Sequence, residues 1–186
     1  FFFFLYYFCQ MRWIKIGSVI TLFLFVVYTV SMFFIDDSKR FVFQKQINYP
    51  LEKIYPQFNN LQNFSKWNHF FTNKKDLQLN YFTHYEGIGS TMSFHEMKKK
   101  NSSGELSIRY ENPFNTIKYQ LIEADSKNHY SIEVKFNPSV DKTKLTWIIQ
   151  TPKQSLLKRI FNVFSENVIE NDIDKSIKTL YSLLSN

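Results

Sequence analysis

Between Leu77 and Ile149, apolar residues fall at every second position in six successive runs. The runs are Leu77/Leu79/Tyr81, Met92/Phe94, Leu106/Ile108/Tyr110, Ile117/Tyr119/Leu121, Tyr130/Ile132/Val134/Phe136 and Leu145/Trp147/Ile149. Successive side chains of a strand point to opposite faces, so each run has one apolar and one polar face. Short polar segments separate them: Glu86-Gly87-Ile88-Gly89, Lys98 to Gly104, Asn112-Pro113, Asp125 to Asn128 and Asn137 to Lys142. Six strands joined this way predict an antiparallel meander that is covered on one face only.

The cover comes from the C-terminus. Thr151-Pro152-Lys153-Gln154 reads as a capping box with proline at the first helical position. Leu156, Leu157, Ile160, Phe161 and Phe164 follow, then Ile169, Ile173, Ile177, Leu180, Tyr181 and Leu184, spaced by three and four. A break is expected near Asn162 to Asn167. Ahead of the meander, Phe41 to Ile47 reads as a strand. Pro50 opens a short helix with Leu51, Ile54, Phe58 and Leu61 on one face, which Pro56 keeps short or bends. A second helical piece, Leu61 to Trp67, carries Phe64 and Trp67 on one side. The predicted class is α+β: a curved antiparallel sheet of about seven strands against one long helix.

The chain of 186 residues has room for one such domain, placed at 38–186, and an appendage at 1–37. Ile16 to Ile35 is a run of 20 uncharged residues. As a helix it extends roughly 30 Å, the thickness of a bilayer's hydrocarbon core. Gly17, Ser18, Thr21, Thr29 and Ser31 interrupt it, but their hydroxyls can bond back to the helix. The run is apolar all round, unlike a surface helix. No small-x-small site follows it, which disfavours a cleaved signal peptide. We expect an uncleaved single-pass anchor, a start at Met11 and the lipid bilayer as a partner. Arg12 and Lys15 before the span, against Lys39, Arg40 and Lys45 after it, give no clear charge asymmetry. The short basic N-terminus leans toward an extracytoplasmic domain. The domain is expected to be a monomer.

Several stretches resemble the SRPBCC superfamily (START-like, polyketide cyclase/dehydrase-type proteins). Gln46-Ile47-Asn48-Tyr49-Pro50-Leu51-Glu52-Lys53-Ile54-Tyr55 looks like that family's opening strand and first helix. Leu61-Gln62-Asn63-Phe64-Ser65-Lys66-Trp67 resembles its second helix, and Gly87-Ile88-Gly89-Ser90 its G-x-G turn. Lys144-Leu145-Thr146-Trp147 is similar to its last strand. Asn171 to Leu180 looks like its closing helix, with Ser176 where the family often has glycine. The likeness covers about 40–186. It implies the helix-grip fold, with a cavity between sheet and helix suited to a hydrophobic small molecule or lipid. It does not imply one reaction, because the fold hosts carriers, receptors and enzymes alike.

Direct signs of chemistry are few. His69, His84, His95 and His129 show no HExxH or i,i+4 pairing, so no metal site is assigned. His95-Glu96 is read as a solvated pair at a strand's end beside Lys98-Lys99-Lys100. No phosphate loop, dinucleotide fingerprint or G-x-S-x-G occurs, so no cofactor and no catalytic residue are assigned. One cysteine, Cys9, excludes a disulfide scaffold. The net charge of +7 comes with no groove-reading helix, so nucleic acid is not expected as a partner.

Aromatic residues make up 19% of the chain, and many fall on the predicted inner face. Tyr81, Phe94, Tyr110, Tyr119, Tyr130, Ile132 and Trp147 from the strands, with Ile173 and Ile177 from the long helix, are the expected cavity lining. The alternatives are a cyclase/dehydrase-type enzyme using inner-face Tyr, His or Glu, and an interaction module whose cavity is filled.

Overall fold

A computed structural model describes residues 2–33, 38–82, 84–97, 103–123, 129–153 and 165–185, with side chains of 2–14 and 31–33 excepted. The chain divides into two compact units, Phe1–Asp36 and Asp37–Asn186.

The first unit is one helix, α1 (Phe2–Phe33). Its described side chains are almost all exposed, Ile16, Val19, Ile20, Leu22 and Phe23 among them. Its polar side chains bond back to the helix: Ser18 Oγ donates to Lys15 O, Thr21 Oγ1 to Gly17 O and Thr29 Oγ1 to Val26 O, each at 2.9 Å. Among the described residues no helix is long and apolar enough to cross a membrane.

The second unit runs β1 (Arg40–Ile47), α2 (Leu51–Asn59), α3 (Leu61–Trp67), α4 (His69–Thr72), β2 (Leu77–Tyr81), β3 (Thr91–Glu96), β4 (Ser103–Asn112), β5 (Thr116–Glu123), β6 (His129–Pro138), β7 (Thr143–Gln150) and α5 (Ser165–Leu184). The seven strands form one antiparallel sheet in the order β1-β7-β6-β5-β4-β3-β2. Strands β2 to β7 are the expected meander, and β1 closes the far edge against β7, with Phe43 opposite Trp147. The expected helix through Leu156 to Phe164, the hairpin tip at 98–102 and the turn at Asp125 to Asn128 lie outside the described residues. Within the expected capping box, Thr151 Oγ1 accepts from Lys39 N at 2.9 Å, which ties the end of β7 to the start of β1.

Pro56 sits inside α2 without ending it. The helix ends at Asn59, and its last four carbonyls find partners outside it. Asn63 Nδ2 donates to Pro56 O at 3.2 Å and Trp67 Nε1 to Gln57 O at 3.0 Å. Tyr119 Oη donates to Phe58 O at 2.8 Å, and Gly87 N to Asn59 O at 3.0 Å. These are the groups a helix C-terminus leaves unsatisfied. The Asn60 side chain then caps α3 through the N–H groups of Gln62 and Asn63. Gly87 has φ +75° and Gly89 φ +89°, values that favour glycine, so the turn between β2 and β3 has the residues it requires.

The core lies between the concave face of the sheet and the helices. Phe58 is its hub: its ring meets Phe64, Trp67, Phe136 and Trp147 at centroid distances of 4.7 to 6.3 Å. Ile173, Ile177 and Leu180 of α5 are buried in the same cluster. Lys45 on β1 holds α5 from outside through Glu170 at 3.0 Å and Asp174 at 2.7 Å.

Candidate functional site

The helix α5 does not seal the sheet evenly. Toward its C-terminus, Leu180 is fully buried, and Tyr181 packs on Tyr49 with centroids 5.7 Å apart while its oxygen accepts from Asn48 N at 2.8 Å. Toward its N-terminus, Ile169 and Ile173 stand over a cavity of about 230 Å³. The sheet lines this cavity with Leu106, Leu121, Tyr130, Ile132, Trp147 and Ile149, and α3 and α4 line it with Phe64, Phe70 and Phe71. Its polar edge is Asn68, Thr151, Asp172 and Ser176.

The cavity forms at this end because of how α4 is seated. Asn68 caps that single turn by accepting from Phe70 N. Ser176 Oγ accepts from His69 N at 2.8 Å and donates to Asp172 O at 2.7 Å. Ser176 is thus buried and joins α5 to α4. Phe70 and Phe71 then turn toward Phe94, at 5.3 and 5.9 Å, and close the cavity's side toward β3.

Of the nine residues expected to line a cavity, Tyr130, Ile132, Trp147 and Ile173 do so. Phe94 is buried but packs solidly against Phe70, Phe71 and the backbone of Gly104. Tyr119 is buried beneath Phe64, its hydroxyl held by Phe58 O. Tyr81 is partly buried at the sheet's edge, with its oxygen 2.6 Å from Ser65 Oγ. Ile177 belongs to the filled part of the core.

Tyr110 is a correction. It is 47% exposed, on the outer face. The β4–β5 register pairs Ile108 with Tyr119 but Tyr110 with Lys118, so Arg109 is an extra residue in a bulge. One extra residue flips every side chain after it. Tyr110 therefore meets Lys118 outside, with Nζ 5.5 Å from the ring centroid.

The same bulge turns Glu111 inward, which alternation alone places outside. Its carboxylate accepts from the Tyr55 hydroxyl, and Asn59 Nδ2 approaches it at 3.4 Å. Burial first, then the bond to Glu111 and its charge, push the Tyr55 phenol well above the usual tyrosine range. Burial pushes Tyr119 the same way, with smaller contributions from Tyr55 and Glu111. This acid–phenol pair sits at the opposite end of β4 from Leu106 and the cavity. Tyr130, on the cavity wall, is raised by burial and then by the charge of Glu123.

The expected solvated pair at the end of β3 divides: His95 is exposed, whereas Glu96 is half-buried with Lys74 Nζ 3.6 Å away. Among the described residues no group of three or more His, Cys, Asp or Glu stands together to hold a metal ion.

No family model and no curated protein matches the chain. Solved structures do. A Staphylococcus aureus protein of unknown function superposes with a TM-score of 0.62 at 12% identity, over 80% of this chain and 94% of that one. A Chromobacterium violaceum protein gives 0.56 at 14%, over 79% and 98%. Norcoclaurine synthase from Thalictrum flavum, solved with dopamine and hydroxybenzaldehyde, gives 0.58 at 11%, over 78% and 87%. The fold is the helix-grip fold. At these identities the likeness carries the fold alone.

Proposed function

We propose that residues 38–186 form a START-like domain of the SRPBCC superfamily that binds a small hydrophobic molecule, a single ring or a short acyl chain. The cavity between α5 and the sheet is the binding site. The observation that carries this reading is the lining: eleven apolar or aromatic side chains around about 230 Å³, with four polar residues at one edge. Binding sites are built this way, mostly apolar with a few placed polar groups. An engineered apolar void of about 150 Å³ already takes up benzene. The norcoclaurine synthase structure holds single-ring aromatic compounds, and one ring suits the volume here. Binding without catalysis is preferred over a cyclase/dehydrase-type reaction because the Tyr55–Glu111 pair lies at the other end of the sheet.

We also propose that the domain is monomeric and attached to a bilayer through α1, on the extracytoplasmic side. The uncharged run to Ile35 supports the attachment. Ser38 enters the domain at the end of the sheet where the cavity lies, since β1 begins there and β7 ends there with Ile149 in the cavity wall.

The test is quenching of tryptophan emission by 8-bromooctan-1-ol, on the full chain in nanodiscs of neutral lipid. Bound in the cavity, the bromine lies against Trp147. The reading predicts saturable quenching, part of which disappears in Trp147→Phe. Identical quenching of the two proteins contradicts it.

A further inference from the structure

We propose that the ligand is an amine carrying one aromatic ring on a short chain, with the ring in the cavity and the ammonium group on the carboxylate of Asp172 at its mouth. The proposal rests on the hydrophobic-ligand reading above and adds the ring and the head group. Five of the lining side chains are aromatic: Phe64, Phe70, Phe71, Tyr130 and Trp147. A ring placed among rings gains from edge-to-face contact beyond the area it buries.

The carboxylate is built into the cavity wall. Along α5, Ile169, Asp172, Ile173 and Ser176 line the cavity. They are spaced by three and four, which is one face of a helix. An acid thus holds a place on the apolar stripe of α5. Its neighbours Glu170 and Asp174 pair with Lys45 instead.

The polar edge of the cavity selects the head. Asn68 Oδ1 already accepts from Phe70 N, and Thr151 Oγ1 from Lys39 N. Ser176 Oγ both accepts and donates. The Asp172 carboxylate keeps acceptor capacity. His69 Nε2 stands 3.7 Å from it, beyond a hydrogen bond, and a carboxylate has about four acceptor sites. No lysine or arginine is among the described residues that line the cavity. Lys74, over the Phe70 ring at 4.4 Å, reaches Glu96 at 3.6 Å and is not in the lining. An alkylamine, like a lysine side chain, is charged near neutral pH. The Asp172 side chain is 48% exposed, so an ammonium group bound there keeps part of its water and escapes the full cost of burying an ion pair. The aromatic walls attract a cation as well. A carboxylate head would meet repulsion from Asp172, and an alcohol would forgo the charge.

The experiment uses the full chain in neutral-lipid nanodiscs and compares 4-bromophenethylamine with 4-bromophenethyl alcohol by Trp147-dependent quenching. The two probes share ring, chain and bromine and differ only in the head. Comparing each probe between protein variants cancels its partition into lipid. In Asp172→Asn the amine should bind about tenfold more weakly, with the alcohol unchanged, as expected for the loss of one charge-assisted bond. On the unaltered protein, added salt should weaken the amine and leave the alcohol as it was, a comparison that needs no variant. Amine and alcohol responding alike to the substitution and to salt overturn the proposal. If neither probe shows Trp147-dependent quenching, the hydrophobic-ligand reading falls first and this one with it.

Discussion

The hydroxyl of Tyr119, in the middle of the sheet, donates at 2.8 Å to the carbonyl of Phe58, in the last turn of α2. Both residues are fully buried. The bond joins the sheet to the helix that covers it and satisfies a carbonyl that the helix cannot pair itself.

Removing only that hydroxyl measures its worth. Tyr119→Phe keeps the ring packed on Phe64 and leaves Phe58 O without a donor in a dry interior. Denaturant unfolding should show a loss of about 1–3 kcal/mol. A change under about 0.5 kcal/mol would mean that water or a shifted side chain replaces the bond.

Alkaline pH should weaken the fold. Burial and, for Tyr55, the bond to Glu111 raise both phenols above the usual tyrosine value. A raised folded-state pKa means that the unfolded chain gives up these protons first. The stability they contribute is therefore complete below about pH 10 and falls as pH rises beyond it. The melting temperature should decline above about pH 10, and decline less steeply in Tyr55→Phe. Parallel profiles for the two proteins would show that Tyr55 is not the group responsible.

Much of the fold is legible in the chain. The alternation from Leu77 to Ile149 yields six strands, and the Gly87/Gly89 turn lies where turn chemistry puts it. Three features are not legible, each for a physical reason. The bulge at Arg109 adds one residue to one strand, and the sequence on either side still alternates, so the reversal of Tyr110 and Glu111 leaves no mark. The helix α4 is a single turn, too short to show a period. Cavity and solid core use the same residue types: Tyr119 is packed and Tyr130 lines a void because of where Phe64, Phe70 and Phe71 lie, which depends on the local cap of Asn68 and the tertiary bond from His69 N to Ser176.

The attachment proposed for α1 is tested by fractionation. The full chain should sediment with membranes and stay there through carbonate extraction. Val26→Arg places a charge in the middle of the uncharged run, at a cost of about 2.5–3.5 kcal/mol on insertion scales, and should shift protein to the soluble fraction. Release of the unaltered chain by carbonate would contradict the anchor and leave the cavity reading intact.

The central claim is that the space between α5 and the sheet is a binding site and not a packing defect. The most direct measurement is mass spectrometry of solvent-extracted material from the purified full chain, beside Ile132→Trp. Ile132 lines the cavity, and an indole there fills existing space, so the variant should lose less stability than the 1–3 kcal/mol typical of overpacking a tight core. The account predicts a hydrophobic molecule near one equivalent with the unaltered protein and none with Ile132→Trp. No enriched molecule in either sample, together with a loss of several kcal/mol in the variant, would show that the interior is already full and contradict the account.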